Sequence, residues 1–301
     1  MKISVVIATH RRADVLGLVL SSLTAQTLPN EAFEVIVVED FTNDKTVEVI
    51  NDVKKKINIE YYACESPGAA VKRNSGVLKA DADIILFLDD DMIASSSLLE
   101  EHLKYYSTGA DGVLGHIEED KNVKLNHFTS YLLENDLQNT YKGVDPENVG
   151  FGYFYTGNIS IKKDVFNALG GFDVKFNEYG FEDTEFGYRL IKAGYVIKYN
   201  KDAEGYHHYF RDFESFLGRK YLMGRSAAYF AGLYPELKEK LSIHPRKLKE
   251  TLLLNSLTKD LWLKKVRMLE NKGNLTVKEK KKLYKIYEYL LNYYYSMGIK
   301  R

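Results

Sequence analysis

Three consecutive carboxylates, Asp89, Asp90 and Asp91, follow the uninterrupted apolar run Ile84–Leu88. Unit charges a few ångströms apart repel by kcal/mol amounts even at a moderately high effective dielectric, so the triplet calls for a cation. A Mg²⁺ or Mn²⁺ held by one or two carboxylates, with a diphosphate completing its octahedron, suits such a set better than a cage built only of protein. Solvated loop ends or a helix N-cap are the plainer reading. Glu39-Asp40 closes a second apolar run, 35–38. An Asp there can accept the N–H of a pyrimidine ring, or simply lead a turn into Thr42, Asn43 and Asp44.

Further along, Arg73 lies in Gly68-Ala69-Ala70-Val71-Lys72-Arg73-Asn74-Ser75-Gly76. Its planar fork suits a phosphate or a carboxylate, and the small residues around it allow close backbone approach; an ordinary surface arginine is the alternative. In Gly180-Phe181-Glu182-Asp183-Thr184-Glu185-Phe186-Gly187-Tyr188-Arg189-Leu190, the residues Asp183, Phe186 and Leu190 share one helical face. With the latter two in a core, Asp183 is directed inward at the helix start, where a carboxylate can act as a base. A first-turn acid is also favoured by the helix dipole. His207-His208, between Tyr206 and Tyr209, offers neutral imidazole to a Mn²⁺ shell shared with Asp oxygens, or fills a structural role.

These residues need a scaffold that gathers them, and the first hundred residues supply its pattern. Short apolar runs alternate with helical spacing, the signature of parallel strands joined by crossover helices. Strands are expected at 3–8, 35–38, 57–63 and 84–88. Helices are expected from Val15 to Leu23 with Pro29 as the stop, at 47–53, and from Pro67-Gly68 to Lys79. Open sheets of this kind bind ligands beyond the carboxyl ends of their strands, where the triplet lies. Thereafter the pattern predicts a helix at 98–106, strands at 112–116, 151–161 and 196–199, helices at 163–169 and 182–193, and helical spacing after His208. The Lys-, Leu- and Tyr-rich stretch from Pro235 reads as a helical appendage.

Among 301 residues, 42 Lys plus Arg balance 42 Asp plus Glu, so no whole-chain field favours nucleic acid and none is expected as a partner. The single cysteine, Cys64, cannot form an internal disulfide, and the opening residues lack the apolar core of a secretory signal, so the cytosol is the expected compartment. No apolar run approaches the roughly 18 to 20 residues that span a bilayer, which leaves peripheral contact with a membrane face open. The run Lys278-Glu279-Lys280-Lys281-Lys282 reads as a solvated helix face or a surface-binding element. The leucines and tyrosines of the C-terminal stretch need a partner surface, which packing or a homodimer would provide.

Taken together, the motifs resemble the family 2 glycosyltransferases, nucleotide-sugar-dependent enzymes of the GT-A fold, from Met1 to about Arg225. Ser4-Val5-Val6-Ile7-Ala8-Thr9-His10-Arg11-Arg12 is similar to the family's opening strand and turn, and Leu23-Thr24-Ala25-Gln26-Thr27 to the end of its first helix. Val37-Val38-Glu39-Asp40 resembles the segment with the uracil-binding Asp. Asp89-Asp90-Asp91 is similar to the D-x-D, and Gly170-Gly171-Phe172-Asp173 with Glu182-Asp183 to the acceptor-side motifs. Phe41 stands where a glycine is usual and Glu39 where the first Asp is.

The resemblance implies an α/β GT-A domain over 1–225, with a nucleotide-binding half (1–110) and an acceptor half (111–225), followed by a helical extension (226–301). It implies that Asp40 contacts the base, that Ala8 and Thr9 line the nucleoside pocket, and that Arg73 and Asp89 lie near the nucleotide or its phosphates. Asp90 would meet ribose or diphosphate, Asp91 with one of His207 and His208 would hold Mn²⁺ or Mg²⁺, Glu182 would face the acceptor, and Asp183 would be the catalytic base. The implied reaction is an inverting, metal-dependent transfer from a UDP-sugar to an acceptor hydroxyl on a glycan, a lipid-linked sugar, a peptide or a small molecule. A retaining transferase, a nucleotidyltransferase and a non-catalytic nucleotide-sugar-binding protein are the alternatives on the same fold.

Overall fold

The computed structural model describes residues 1–40, 44–137, 140–208, 211–243 and 256–300. The turn residues Thr42 and Asn43, as well as Phe41 and Tyr209, lie outside them. The chain separates into two compact units. One comprises Met1–Val123, Asn139–Asn177 and Glu182–Tyr209; the other comprises Lys124–Gln138, Glu178–Phe181 and Phe210–Arg301.

The first unit begins as the apolar pattern demands: β1 (Ile3–Thr9), α1 (Ala13–Leu23), β2 (Phe33–Glu39), α2 (Asp44–Val53), β3 (Ile59–Ala63), α3 (Ala69–Lys79) and β4 (Ile84–Leu88). The strands are parallel and covered on both faces. Side chains alternate across the pleat, so Val5, Ile7, Val35 and Val37 enter one core while Val6, Ile36, Val38 and Phe87 enter the other. In register, Thr9 lies beside Glu39 and Val6 beside Phe87. The carboxyl ends of β1, β2 and β4 therefore form one rim.

After β4 come β5 (Met92–Ala94), α4 (Leu98–Lys104), β6 (Gly112–Glu119), β7 (Asn158–Lys162), α6 (Lys163–Ala168), α7 (Glu182–Lys192) and β8 (Ile197–His207), with α5 (His127–Glu134) belonging to the second unit. The described strands form one sheet in the order β3-β2-β1-β4-β7-β6-β8-β5. Strand β7 runs antiparallel to β4, so the sheet is mixed beyond its parallel half.

Two expectations change here, and one short strand is added. The run 151–161 is not one strand: Phe151–Tyr153 forms a 3₁₀ turn and only Asn158–Lys162 pairs. Its aromatic residues are drawn into side-chain packing instead, with Tyr155 edge-on to Tyr141 at 6.2 Å. The short strand at 196–199 continues to His207, because the β6–β8 ladder slips between Gly115 and His116 and then resumes, with His116 opposite Glu204. The polar Asn200, Lys201 and Asp202 at that slip hide the continuation from a hydrophobic pattern. Finally, three-residue β5 follows the aspartate triplet directly and pairs Met92 with His207.

The second unit packs α5 (His127–Glu134), α8 (Phe213–Leu233), α9 (Ser256–Glu270) and α10 (Val277–Ile299) around Phe128, Phe213, Tyr287 and Leu290. A domain boundary at 225 would cut α8, a helix continuous from Phe213 to Leu233. At one crossing α8 and α10 touch backbone to backbone. A Cβ on Gly224 would lie 2.1 Å from the Tyr295 carbonyl oxygen, and one on Gly298 would lie 2.0 Å from that of Tyr221. Helix α10 starts with a reciprocal capping box between Thr276 and Glu279.

One buried polar contact joins a helix to the sheet. His102 on α4 is fully buried, with Nδ1 2.9 Å from Ser160 Oγ and Nε2 2.8 Å from Asn158 Oδ1, both on β7. Burial drives its pKa down to about 4 from the usual 6.5, against the Asn158 hydrogen bond. Below pH 6.5 the unfolded chain takes a proton that the folded chain refuses, so this group's contribution to stability is full above that value and falls with pH towards 4. Acidification from pH 7 to 5 is expected to remove about 2 kcal/mol through His102. Denaturant titrations across that range should show the wild type losing stability faster than His102→Gln, and parallel slopes would contradict this account.

Candidate functional site

The rim at the carboxyl ends of β1, β2 and β4 collects acids and bases that are far apart in sequence. At β1, the Thr9 hydroxyl donates to Asp90 Oδ2 at 2.7 Å, and Lys72 Nζ donates to the Thr9 carbonyl oxygen at 3.0 Å. Ala8 is half-buried beside it. The same Lys72 ammonium lies 3.2 Å from Asp40 Oδ2, while His10 Nδ1 is 2.6 Å from Asp40 Oδ1. Burial alone would raise the Asp40 pKa; His10 and Lys72 outweigh it and hold the group below the usual carboxylate range. Glu39 has a different fate. It is fully buried and accepts from the Arg11 amide at 3.1 Å, the Thr46 hydroxyl at 3.3 Å and the Tyr61 hydroxyl at 3.0 Å. Its role is to tie the turn after β1 to the sheet.

The aspartate triplet meets two arginines. Arg12 reaches the triplet after a turn in which Arg11 takes a left-handed conformation, φ 53°. It spreads its fork over two carboxylates, Nη1 to Asp90 Oδ1 at 2.6 Å and Nη2 to Asp91 Oδ2 at 2.8 Å. Arg73, buried on α3, directs Nη2 to Asp89 Oδ1 at 2.9 Å and Nη1 to Glu182 Oε1 at 3.0 Å. The cation that the triplet demands is thus supplied in part by the protein itself. Burial still pushes the Asp90 pKa up to about 6; Arg12 and the Thr9 hydroxyl lower it, Asp91 and Asp89 raise it.

The structure gives Arg73 and the two histidines particular partners. Each terminal nitrogen of Arg73 meets a carboxylate, so the side chain clamps the end of β4 to the start of α7. Glu182 correspondingly faces Arg73 from a buried position, and among the described residues its Oε2 has no hydrogen-bond partner. The two histidines also part company. His207, placed opposite Met92 by strand pairing, brings Nε2 to 3.6 Å from Asp91 Oδ1, with Nδ1 3.8 Å from Glu119 Oε2. His208 turns to Asp120, Nδ1 to Oδ2 at 2.6 Å, and its backbone amide donates to the Asp91 carbonyl oxygen at 2.7 Å. Its side chain is therefore not directed to the same position as that of His207.

The donor set fits a divalent cation that is completed by a ligand. Among the described residues no cluster of three or more His, Cys, Asp or Glu side chains forms a cage. Asp91 Oδ1 and His207 Nε2 are near enough to share one ion whose remaining positions go to phosphate oxygens and water, the usual way Mg²⁺ or Mn²⁺ is held.

Asp183 sits in the first turn of α7, after the left-handed residues Gly180 (φ 93°) and Phe181 (φ 72°). Its Oδ1 accepts from the Thr184 amide at 2.6 Å and hydroxyl at 3.1 Å. Desolvation by burial, reinforced by the Glu182 charge, raises its pKa well above the carboxylate range; Arg73 and the Thr184 bonds only partly offset this. Sequence reasoning missed three members of this rim, His10, Arg12 and Lys72. The signals available were the position of His10 and Arg12 just beyond β1 and of Lys72 one residue before Arg73.

Residues 4–170, more than half of the chain, match the family described as Glycosyl transferase family 2. The chain belongs to that family. Residues 145–212 also match the family described as N-terminal domain of galactosyltransferase. Among related proteins, chondroitin synthase of Pasteurella multocida (strain Pm70) is 28% identical over 238 residues, 68% of this chain and 24% of that protein. Validoxylamine A glucosyltransferase of Streptomyces hygroscopicus subsp. jinggangensis is 29% identical over 229 residues, 67% of this chain and 54% of that one. The match thus spans between about a quarter and about half of these relatives.

Among solved structures, S. aureus TarS 1-349 in complex with UDP superposes with a TM-score of 0.60 at 17% identity, over 100% of this chain and 90% of that one. Mannosyltransferase PcManGT from Pyrobaculum calidifontis, in complex with GDP-Man and Mn²⁺, gives 0.62 at 15% identity, over 99% and 87%. At such identities the likeness is one of fold, and this family 2 chain has the GT-A architecture with a C-terminal helical region.

Arg73→Met would strand buried Glu182 without its cation and is expected to cost about 3 to 5 kcal/mol in denaturant unfolding. Arg73→Met combined with Glu182→Gln should recover part of that loss by removing the orphaned charge. An additive double variant would show that the pair is not coupled.

Proposed function

We propose that this family 2 chain is an inverting glycosyltransferase that moves a sugar from a UDP-sugar to an acceptor hydroxyl in glycan biosynthesis. The observation that carries the reading is the Arg73 clamp. By gripping Asp89 and Glu182 together, it holds Asp183, the next residue along α7, beside the acidic rim where a nucleotide diphosphate would lie. The UDP complex of TarS and the GDP-Man and Mn²⁺ complex of PcManGT, both on this fold, support a nucleotide-sugar donor.

In this reading Asp40, kept ionised by His10 and Lys72, accepts the N–H of a uracil, and the backbone of Ala8 and Thr9 lines the nucleoside pocket. Asp90 faces ribose or diphosphate. Asp91 and His207 hold a divalent cation, which when bound neutralises charge on the diphosphate. The acceptor oxygen forms a new bond to the anomeric carbon of the donor, while the bond from that carbon to the diphosphate oxygen breaks and the diphosphate leaves with the electron pair. The acceptor proton goes to Asp183. Thr184 already engages Oδ1, so Oδ2 is the oxygen that receives it. A raised pKa brings this base nearer to working pH, where general base catalysis is most effective. Attack and departure on opposite sides of the sugar invert its configuration.

Asp183→Asn is expected to reduce transfer by about 10² to 10⁴ while nucleotide-sugar binding by calorimetry stays nearly intact. Undiminished transfer in that variant, or product with retained configuration by NMR, would refute the assignment.

Since the deprotonated Asp183 is the active form and its pKa lies above the carboxylate range, the wild-type rate should be high at alkaline pH and fall as pH drops through that raised value. In Asp91→Ala, donor binding should lose its dependence on added Mn²⁺. A titration with and without the ion checks this.

A further inference from the structure

The second unit contains a cavity of about 980 Å³ whose lining is strongly basic although the chain as a whole has zero net charge. Four of its lysines, Lys278, Lys281, Lys282 and Lys285, recur at i, i+3, i+4 and i+7 on α10 and so form one stripe of like charge. Lys220 of α8 and Lys240 add two more ammonium groups, against a single lining carboxylate, Glu288.

Among the described residues none of these four lysines makes an ion pair with a carboxylate, whereas Lys280, the fifth lysine of α10, turns to Glu134 at 2.7 Å. A self-repelling row of this kind is unfavourable on its own and is relieved by an anion. Two further observations agree. Lys265 of α9 crowds Lys282 closely enough for the second ammonium to lower the pKa of the first. Lys220 lies 5.8 Å from the centre of the Phe216 ring, and desolvation lowers its pKa too.

The remaining walls identify the body that carries the negative charge. Phe216, Tyr284 and Tyr295 bring partly exposed rings and phenol edges to the lining, backed by the buried Tyr131. Aromatic faces suit the apolar faces of pyranose rings, and phenol edges and ammonium groups suit their substituents. The concave shape favours a chain of rings over a flat lipid surface.

We infer that this cavity is a binding site for an anionic oligosaccharide, with the α10 lysine stripe on its carboxylate or phosphate groups and the aromatic walls on its sugar rings.

Binding is read without turnover, so this site and the reaction proposed above stand or fall separately. Calorimetry on the full chain should show hexagalacturonate binding that weakens as salt is raised from 50 to 500 mM, on the order expected when the Debye length shrinks several-fold. Maltohexaose, with the same number of rings and no charge, and inorganic pyrophosphate, with charge and no rings, should each bind at least about tenfold more weakly. Lys281→Glu with Lys285→Glu should weaken hexagalacturonate at least about tenfold. Lys281→Gln with Lys285→Gln should fall between the two, at unchanged melting temperature because these side chains are exposed. Asp183→Asn should bind the oligosaccharide as the wild type does. The inference is overturned by absent hexagalacturonate binding, by equal affinity in the charge-reversed variant, by pyrophosphate matching the hexamer, or by phosphatidylglycerol vesicles binding where the hexamer does not.

Discussion

The constraint on which the rim depends is charge. Parallel strands end together, and here their ends put Asp40, Asp89, Asp90 and Asp91 within one patch, with Glu182 brought to the same place by α7. Such a patch cannot be left uncompensated in a partly buried setting. The protein answers with four basic side chains: Arg12 across Asp90 and Asp91, Arg73 across Asp89 and Glu182, and Lys72 and His10 on Asp40. Planar guanidinium forks sit where two carboxylates must be bridged, and a single ammonium sits where it can also cap the Thr9 carbonyl oxygen.

This division separates residues that hold the site from residues left to act in it. Glu39, Asp89, Glu182 and Arg73 are engaged with one another or with the backbone. Asp91 keeps one oxygen toward His207 while Arg12 holds the other, and Asp183 keeps one oxygen beyond its Thr184 bonds. Preorganisation of this kind places the working atoms without using them up. Asp90 illustrates the balance. Burial and its acidic neighbours raise its pKa although Arg12 and Thr9 oppose them, so a ligand that brings further positive charge to the patch meets a group already near its protonation boundary.

Much of this was legible from residue types. The buried runs gave β1 to β4, and with them a rim on which Asp40 and the triplet had to lie, because carboxyl ends of neighbouring parallel strands share an edge. What could not be read were pairings at long range. Arg73 and Glu182 are 109 residues apart, and nothing local to either says that one fork will span two carboxylates. His207 and His208 look equivalent in sequence. Strand pairing separates them, since β5 sets Met92 opposite His207 and leaves His208 to Asp120. The aromatic run 151–161 misled for a related reason: Tyr and Phe favour strands as single residues, but here ring packing against Tyr141 competes with ladder formation and prevails.

The C-terminal helices follow a different logic from the rim. There, charge is gathered on one stripe of α10 while the opposite stripe, Leu283, Ile286 and Leu290, is buried. The helix is anchored by that apolar side, by its capping box, and by the glycine contact at Gly298. These anchors are strong enough to hold a lysine row in place against its own repulsion. An acidic rim held by shared arginines and a basic stripe held by a hydrophobic seam solve the same problem, since each keeps like charges together where water alone would disperse them. In the rim much of the compensating charge is built into the chain, whereas the four cavity-lining lysines of α10 have no described carboxylate partner, and that asymmetry is why the lysine row points to an anion.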